Sequence, residues 1–397
     1  MASRIAWLDA SDDDQRRMRE ILLLFTDQDS RDELGIGSVR DALSDGLFPG
    51  TSTLLTRARY LLFIPWCFQL AAGRPDPLLV SEQLERRLIT ALRDTEDFSG
   101  LMGIRRGEKL KTLPSGVYWA TLRHYRIVRP ECETRWDAVT WRDETTAFEE
   151  GEERRVGTAW SPTLPAIPDG FPEQVPGGFT LTTGEAGWLR DRLLERAYGT
   201  LLAHLVENRP DSESRAPWLD EAALGAKGAP AALLDHARQF SVVVQGAALL
   251  YNLLLAEEYE QGGNTRLTDP VDDYRTWLSE WADRAHIHTI TNWNTDAFWI
   301  WYAQQSANRL IHRTRLFIDA WVELLRTVDI ATLADNQTAR NLIRQRERSH
   351  KGAQARLGNR TRISQWQGSA GTGQQTFRWT QVRRILLEIH DGLARDA

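Results

Sequence analysis

The chain has 397 residues, of which 42% are hydrophobic and 26% charged, and it carries a formal net charge of −6. This composition excludes a chain that is disordered along its length, and at roughly 150 residues per domain it leaves room for two or three packed cores. Cys67 and Cys132 are the only cysteines, which excludes a disulfide framework or a cysteine cluster; they are expected as small buried apolar side chains.

In chain order, Ser11 is placed to cap a helix whose first turn, Asp12 to Asp14, suits the positive end of the macrodipole. Met18, Ile21, Leu22 and Phe25 would share one face of it. Further helices are expected over 37–47, 53–72, 81–94, 115–127, 184–207, 230–258, 270–285, 293–329, 336–357 and 380–394. These stretches are rich in Leu, Ala, Arg and Glu. Period-2 alternation is scarce and no strand–helix–strand rhythm appears. The fold class read from this is mainly α, a multi-lobed protein of long amphipathic helices with little or no sheet.

Five prolines between Pro162 and Pro176 cannot be helix interior. They mark 157–179 as an extended linker or wrapping loop, preceded by the acids Glu149, Glu150, Glu152 and Glu153. The domain reading is therefore an N-terminal helical lobe over 1–156, a tryptophan-rich helical domain over 180–335 and a basic helical region over 336–397. The apolar stretches 60–72 and 242–256 are short for a membrane span and are interrupted by Pro65, Gln245 and Asn252. With an acidic N-terminus in place of a signal-type apolar run, the expectation is a cytoplasmic protein without a membrane segment.

Charge is unevenly placed. From Arg340 to Arg384 eleven basic residues face one acid, Glu347, so this segment carries +10 and the remainder −16. Such separation speaks to partners more than to fold. Arg340, Arg344, Arg348 and Lys351 follow helical spacing and align on one face. Like charges at i, i+4 weaken a helix by roughly 0.2–0.5 kcal/mol per pair, so this face calls for acids elsewhere in the fold or for an anionic ligand. Trp366 and Trp379 lie among Arg356, Arg360, Arg362 and Arg378. Aromatics interleaved with cations suit nucleic acid, because bases stack while phosphates pair. The equal alternative is pairing with the acidic remainder of the chain.

Two other basic groups stand out. Arg105, Arg106, Lys109, Lys111, Arg123, Arg126 and Arg129 flank a helix carrying Ser115, Tyr118, Trp119 and His124, a weak helix-turn-helix pattern. In the segment Phe48-Pro49-Gly50-Thr51-Ser52-Thr53, followed by Arg57 and Arg59, a helix start and two guanidinium groups would suit an anion or an ion-pair network.

Catalytic signatures are missing. The sequence has no GxxxxGK[ST], HExxH, CxxC or GxSxG. Two residues before the four lysines stand Gly107, Lys109, Gly225 and Ser349, so neither an acidic-x-Lys nor a His-x-Lys pair exists. The glycines Gly368, Gly371 and Gly373 read as a turn. His286 and His288 form the one close histidine pair and lack obvious further ligands, so neither metal nor cofactor is expected.

Trp7-Leu8-Asp9, Arg31-Asp32-Glu33-Leu34-Gly35-Ile36-Gly37, Arg40-Asp41, Leu47-Phe48-Pro49-Gly50-Thr51-Ser52 and Arg57-x-Arg59-Tyr60-x-Leu62-Phe63-x-Pro65-Trp66 resemble the N-terminal signature of an uncharacterised bacterial family of unknown function. The similarity continues through Leu113-Pro114-Ser115-x-Val117-Tyr118-Trp119, Phe179-x-Leu181-Thr182, Tyr251-Asn252-Leu253, Arg346-Glu347, Lys351, Ala355-Arg356-Leu357, Asn359, Trp366-x-Gly368 and Arg378-Trp379, and so spans nearly the whole chain. The resemblance implies little about mechanism, since no activity is established for the family. It implies an association with bacterial anti-phage gene clusters, beside helicase-like and phospholipase-D-like genes.

The functional expectation is a non-catalytic nucleic-acid-binding or adaptor subunit of such a system. Nucleic acid or another polyanion would sit on Arg340, Arg344, Arg348, Lys351, Arg356, Trp366, Arg378 and Trp379. Arg57 and Arg59 would hold a further anion or the fold itself, and the protein partner would be a helicase or nuclease. Two alternatives come from other classes. One is a metal-dependent hydrolase or nuclease using Asp32, Glu33, Asp41 and Asp45. The other is a scaffold that binds a partner through the tryptophan-rich 277–301 region.

Overall fold

A computed structural model describes residues 32–95, 97–104, 110–141, 158–284, 290, 292–305 and 312–395. The helix expected after Ser11, the His286–His288 pair and the cations Arg105, Arg106 and Lys109 lie outside these residues. The protein is mainly α. Among the described residues no strand forms, and Val128 and Trp160 make an isolated antiparallel bridge.

The chain packs as two compact units, each assembled from separated segments. One comprises Leu47–Ala231 with Arg378–Ala397, and the other comprises Ala232–Phe377 with the described part of Arg19–Gly46. The proline-rich stretch therefore lies inside the first unit, and the basic C-terminal region divides between the two at Phe377.

Helix α1 (Gly37–Leu47) belongs to the second unit except for its last residue. The first unit is built around α2 (Tyr60–Ala71), which is apolar on every side and buried over nearly its whole length. A helix of that composition has to be surrounded. It packs against α3 (Pro77–Arg93) and α4 (Pro114–His124), both started by proline, which is pre-set for the first helical turn. Residues 53–59, expected as helix, instead form turns whose backbone N–H groups are taken by side chains. The Tyr118 hydroxyl accepts from the N–H of Thr56 at 2.8 Å and of Arg57 at 3.0 Å. The short α5 (Arg135–Thr140) was not visible as periodicity, but its Thr134–Asp137 capping box explains it.

The expected helix over 184–207 is two helices, α6 (Thr183–Ala197) and α7 (Leu201–Glu207). Gly199 breaks it with φ +77, a left-handed conformation that glycine adopts without strain, and Thr200 then caps α7. The small α8 (Glu221–Leu224) follows.

The second unit centres on α9 (Ala229–Gln261), which belongs to it from Ala232 onward. The sequence reading of 242–256 as too short for a membrane span is corrected by this helix. At 33 residues α9 is long and apolar enough to cross a bilayer, yet 83% of its most apolar window is buried inside the protein, as for a core helix. Side chains tie it to α10 (Pro270–Arg284), α11 (Thr295–Gln304), α12 (His312–Thr327) and α13 (Gln337–Lys351). The Nε1 of Trp281 donates to the Val242 carbonyl at 3.0 Å, and that of Trp321 to Val243 at 2.9 Å. Gly246 is required here, because a Cβ would overlap the Trp281 ring. The expected helix over 293–329 appears as α11 and α12. The one expected over 336–357 stops at Gly352, and α14 (Arg360–Ser364) follows.

Returning to the first unit, α15 (Trp379–Leu393) lays Val382, Ile385, Leu386 and Ile389 against α6 and α7. The two cysteines are free and buried, as expected. The tryptophans expected in a helix core are largely there, with Trp281, Trp293 and Trp299 buried, whereas Trp277 is 42% exposed.

One core residue makes a pH prediction. Glu85 on α3 is fully buried; its Oε2 accepts the Ser115 N–H at 2.7 Å and its Oε1 has no hydrogen-bond partner among the described residues. Burial pushes its carboxyl up from 4.5 to about 7, against the opposing bonds from Ser115 and the nearby Arg135. A carboxyl raised on folding contributes stability that is complete below about 4.5 and is lost as pH rises through about 7. Glu85→Gln is therefore expected to flatten the stability profile between these values. At pH 8 it should be more stable than the native chain by up to about 3 kcal/mol. Denaturant melts at pH 5 and pH 8 check this, and equal pH dependence of the two proteins would refute it.

Candidate nucleic-acid interface

Helix α13 carries the centre of the basic region. Asn336 caps it, its side chain accepting from the Ala339 N–H. Its buried face is Ala339, Ile343, Arg346 and Glu347. This face joins the N-terminal and C-terminal blocks of the sequence resemblance. Arg346 donates from Nε to the Leu34 carbonyl at 2.6 Å, and from Nη2 to the Gly35 carbonyl at 2.9 Å and the Thr314 hydroxyl at 3.0 Å. Its guanidinium lies over the Phe317 ring at 5.2 Å, and burial lowers its pKa. It is a structural clamp that holds the turn before α1 to α12 and α13.

The cations around it are mostly neutralised from within the unit. Glu347 is fully buried and accepts the Tyr251 hydroxyl at 2.6 Å and the backbone N–H groups of Arg356 at 2.8 Å and Leu357 at 3.0 Å. Glu33 takes Lys351 on one oxygen and Arg356 on the other, the latter at 2.8 Å. Arg340 pairs with Glu257 and also donates to the Ala334 carbonyl at 2.7 Å. Glu257 is 3.6 Å from Arg275, which binds Asp335 at 2.8 Å.

The aromatic platforms expected between these arginines are not available to bases. Trp366 is 2% exposed and packs against Tyr259 and Tyr274. Trp379, in the first unit, is fully buried, donates from Nε1 to the Ser214 carbonyl at 3.0 Å and meets Phe48. Arg378 donates to the Thr51 carbonyl at 2.7 Å. The stacking role read for both tryptophans is thus corrected, since a base needs an exposed ring face.

Arg57 and Arg59 likewise serve the first unit. Arg57 is 8% exposed; it binds Asp97 at 2.7 Å, Glu388 at 2.6 Å and the Ser99 carbonyl at 2.7 Å. Arg59 is 2% exposed; it binds Glu185 at 2.8 Å and the carbonyls of Pro176 and Gly178 at 2.8 and 2.6 Å. Between the two roles expected for this pair, the contacts are those of the fold: both guanidinium groups are buried and bound to carboxylates and carbonyls. Ser115 and Tyr118 of α4, weighed as part of a DNA-reading helix, are fully buried.

Within the part of the basic segment that belongs to the second unit, the residues with open cationic chemistry are Arg344 and Arg348 on α13 and Arg360 and Arg362 on α14. Arg348 and Arg360 are exposed, Arg344 and Arg362 half-buried, and none of the four side chains has an ion-pair or hydrogen-bond partner among the described residues. Arg360 and Arg362 count among the eleven basic residues of the segment but are not among the interface residues named from the sequence. Their signal was present, in the absence of any acid between Glu347 and Glu388.

The carboxylates of the metal alternative are engaged differently. Asp32 accepts the N–H groups of Ile36 at 2.6 Å and Gly37 at 2.8 Å, opening α1. Glu33 is in its cation pairs, and Asp41 pairs with its neighbour Arg40. Among the described residues no group of three or more His, Cys, Asp or Glu could hold a metal ion. A cavity of about 30 Å³ lies beside Asp32, Glu33, Arg40, Gln245, Tyr251 and Gly371.

The chain belongs to a family of unknown function, DUF6361, whose model matches residues 2–393. No curated protein and no solved structure matches it. The family carries no activity of its own to the chain, so the chemistry of the residues just described is the basis for a functional reading.

Proposed function

We propose that this chain is a non-catalytic nucleic-acid-binding or adaptor subunit of a bacterial anti-phage system, and that it engages phosphates through Arg344, Arg348, Arg360 and Arg362. The observation that carries the reading is the contrast within one basic segment. Arg340, Arg346, Lys351 and Arg356 are matched to carboxylates or carbonyls, while these four arginines stand without a partner among the described residues. A guanidinium presents a fork of donors that fits phosphate oxygens, so unmatched arginines on helices favour a polyanion. The adaptor half of the reading draws on exposed apolar residues of the first unit, Tyr198 at 92%, Leu219 at 62% and Leu224 at 58%. A helicase or nuclease partner would supply the chemistry and would cover such residues.

The test replaces all four arginines with alanine and measures binding to duplex DNA and RNA by fluorescence anisotropy. At about 100 mM salt the variant is expected to bind at least roughly tenfold more weakly, with an unchanged thermal melt, because none of the four supports the fold. Equal binding by both proteins, or no binding by the native chain at low salt, would overturn the proposal.

A further inference from the structure

The exposed side of α13 carries more than cations. Gln337, Asn341, Arg344, Gln345 and Arg348 fall at i, i+4, i+7, i+8 and i+11 of the helix. At 3.6 residues per turn they occupy an arc of about 100°. Four of them are exposed and Arg344 is half-buried. The opposite arc is the buried face of Arg346 and Glu347. Glu347 is the sole acid of the helix, so the exposed arc bears amides and guanidinium groups with no carboxylate among them.

The amides carry the inference. A face that only attracted phosphates would need positive charge, and neutral glutamine or asparagine adds none. What an amide adds is a donor and an acceptor side by side. In the major groove, Gln or Asn meets adenine N6 and N7, and Arg meets guanine O6 and N7. The Gln345 side chain has no partner among the described residues. The Gln337 Nε2 donates to the Asn341 Oδ1 at 2.9 Å, which occupies one lone pair of that oxygen and leaves the Asn341 amino group without a partner among the described residues.

The helix is also suitably held. Its back is fixed by the Arg346 and Glu347 bonds, its start by Asn336 and its end by Gly352, which turns the chain with φ +54. Fifteen residues make a rod of about 22 Å, and a groove about 12 Å wide admits a helix. The buried state of Trp366 and Trp379 removes the two stacking platforms read among these arginines, on which a single strand would have depended.

We infer that α13 is a recognition helix that enters the major groove of duplex DNA, with Asn341, Gln345 and Arg348 reading base edges and Arg344 holding phosphate. This rests on the nucleic-acid reading above and specifies its ligand. The experiment is selection of the full-length chain on a randomised DNA duplex library, followed by anisotropy with the enriched sequence, its single-base variants and the corresponding single strand.

The native chain should enrich a short motif, and one wrong base pair at a read position should weaken binding on the order of tenfold. Gln345→Ala and Asn341→Ala, both exposed changes, should each erase the preference at one position while the salt dependence stays unchanged. Binding to all duplexes alike, a preference for the single strand, or an intact motif in both amide variants would overturn this inference while leaving polyanion binding in place. Absence of binding to every nucleic acid would overturn both.

Discussion

Arg59→Ala is expected to destabilise the first unit by about 3–5 kcal/mol, the magnitude for breaking a buried pair from one side. The arginine joins α2 to the N-terminus of α6, where Glu185 closes the Thr182 capping box with one oxygen and receives Arg59 with the other. Removing the guanidinium strands a buried carboxylate and leaves the carbonyls of Pro176 and Gly178 without these donors. It also takes a cation from the face of Phe63, 5.3 Å away. Chemical denaturation followed by tryptophan fluorescence should show the shift in the transition of this unit. The double change Arg59→Met with Glu185→Leu should be less harmful than Arg59→Ala, because no lone charge then remains. A shift below about 1 kcal/mol for Arg59→Ala would show that the pair is dispensable.

Glu347→Ala should be as severe in the second unit, again about 3–5 kcal/mol. Three bonds end on this carboxylate, and two of them hold the chain that leaves α13, at Arg356 and Leu357. The third is the hydroxyl of Tyr251 in α9. The acid also lies 3.6 Å from Lys351, which shares Glu33 with Arg356. Glu347→Gln retains an acceptor and should lose roughly half as much. Limited proteolysis should cut the Glu347→Ala chain after α13 while sparing the native one; equal resistance would contradict the assignment.

Local pattern carried the helices well and the pairings poorly. The apolar stretches and the spacing of Arg340, Arg344, Arg348 and Lys351 give α13 and its orientation, because a helix writes its faces into three- and four-residue steps. What they omit is who answers each charge. Glu257 lies 83 residues from Arg340, and Glu33 lies 318 from Lys351. No rule of local spacing joins such residues, so Arg340 and Arg344 look alike in sequence although one is matched and the other is open. Trp366 and Trp379 show the same limit: a tryptophan among arginines fits a base platform and a core residue equally well until its neighbours are known. The amides Asn341 and Gln345 went unread in the sequence, although their spacing places them beside Arg344 and Arg348.

The most direct test of this account is the salt dependence of native-chain binding to a DNA duplex. If four arginines engage phosphates, log K should fall against log salt with a slope of roughly −3 to −4. A slope near about −10 would mean that all eleven cations of the segment reach the ligand. That result, or no salt-dependent binding at all, would contradict the claim that the fold consumes most of this charge and leaves a defined remainder for nucleic acid.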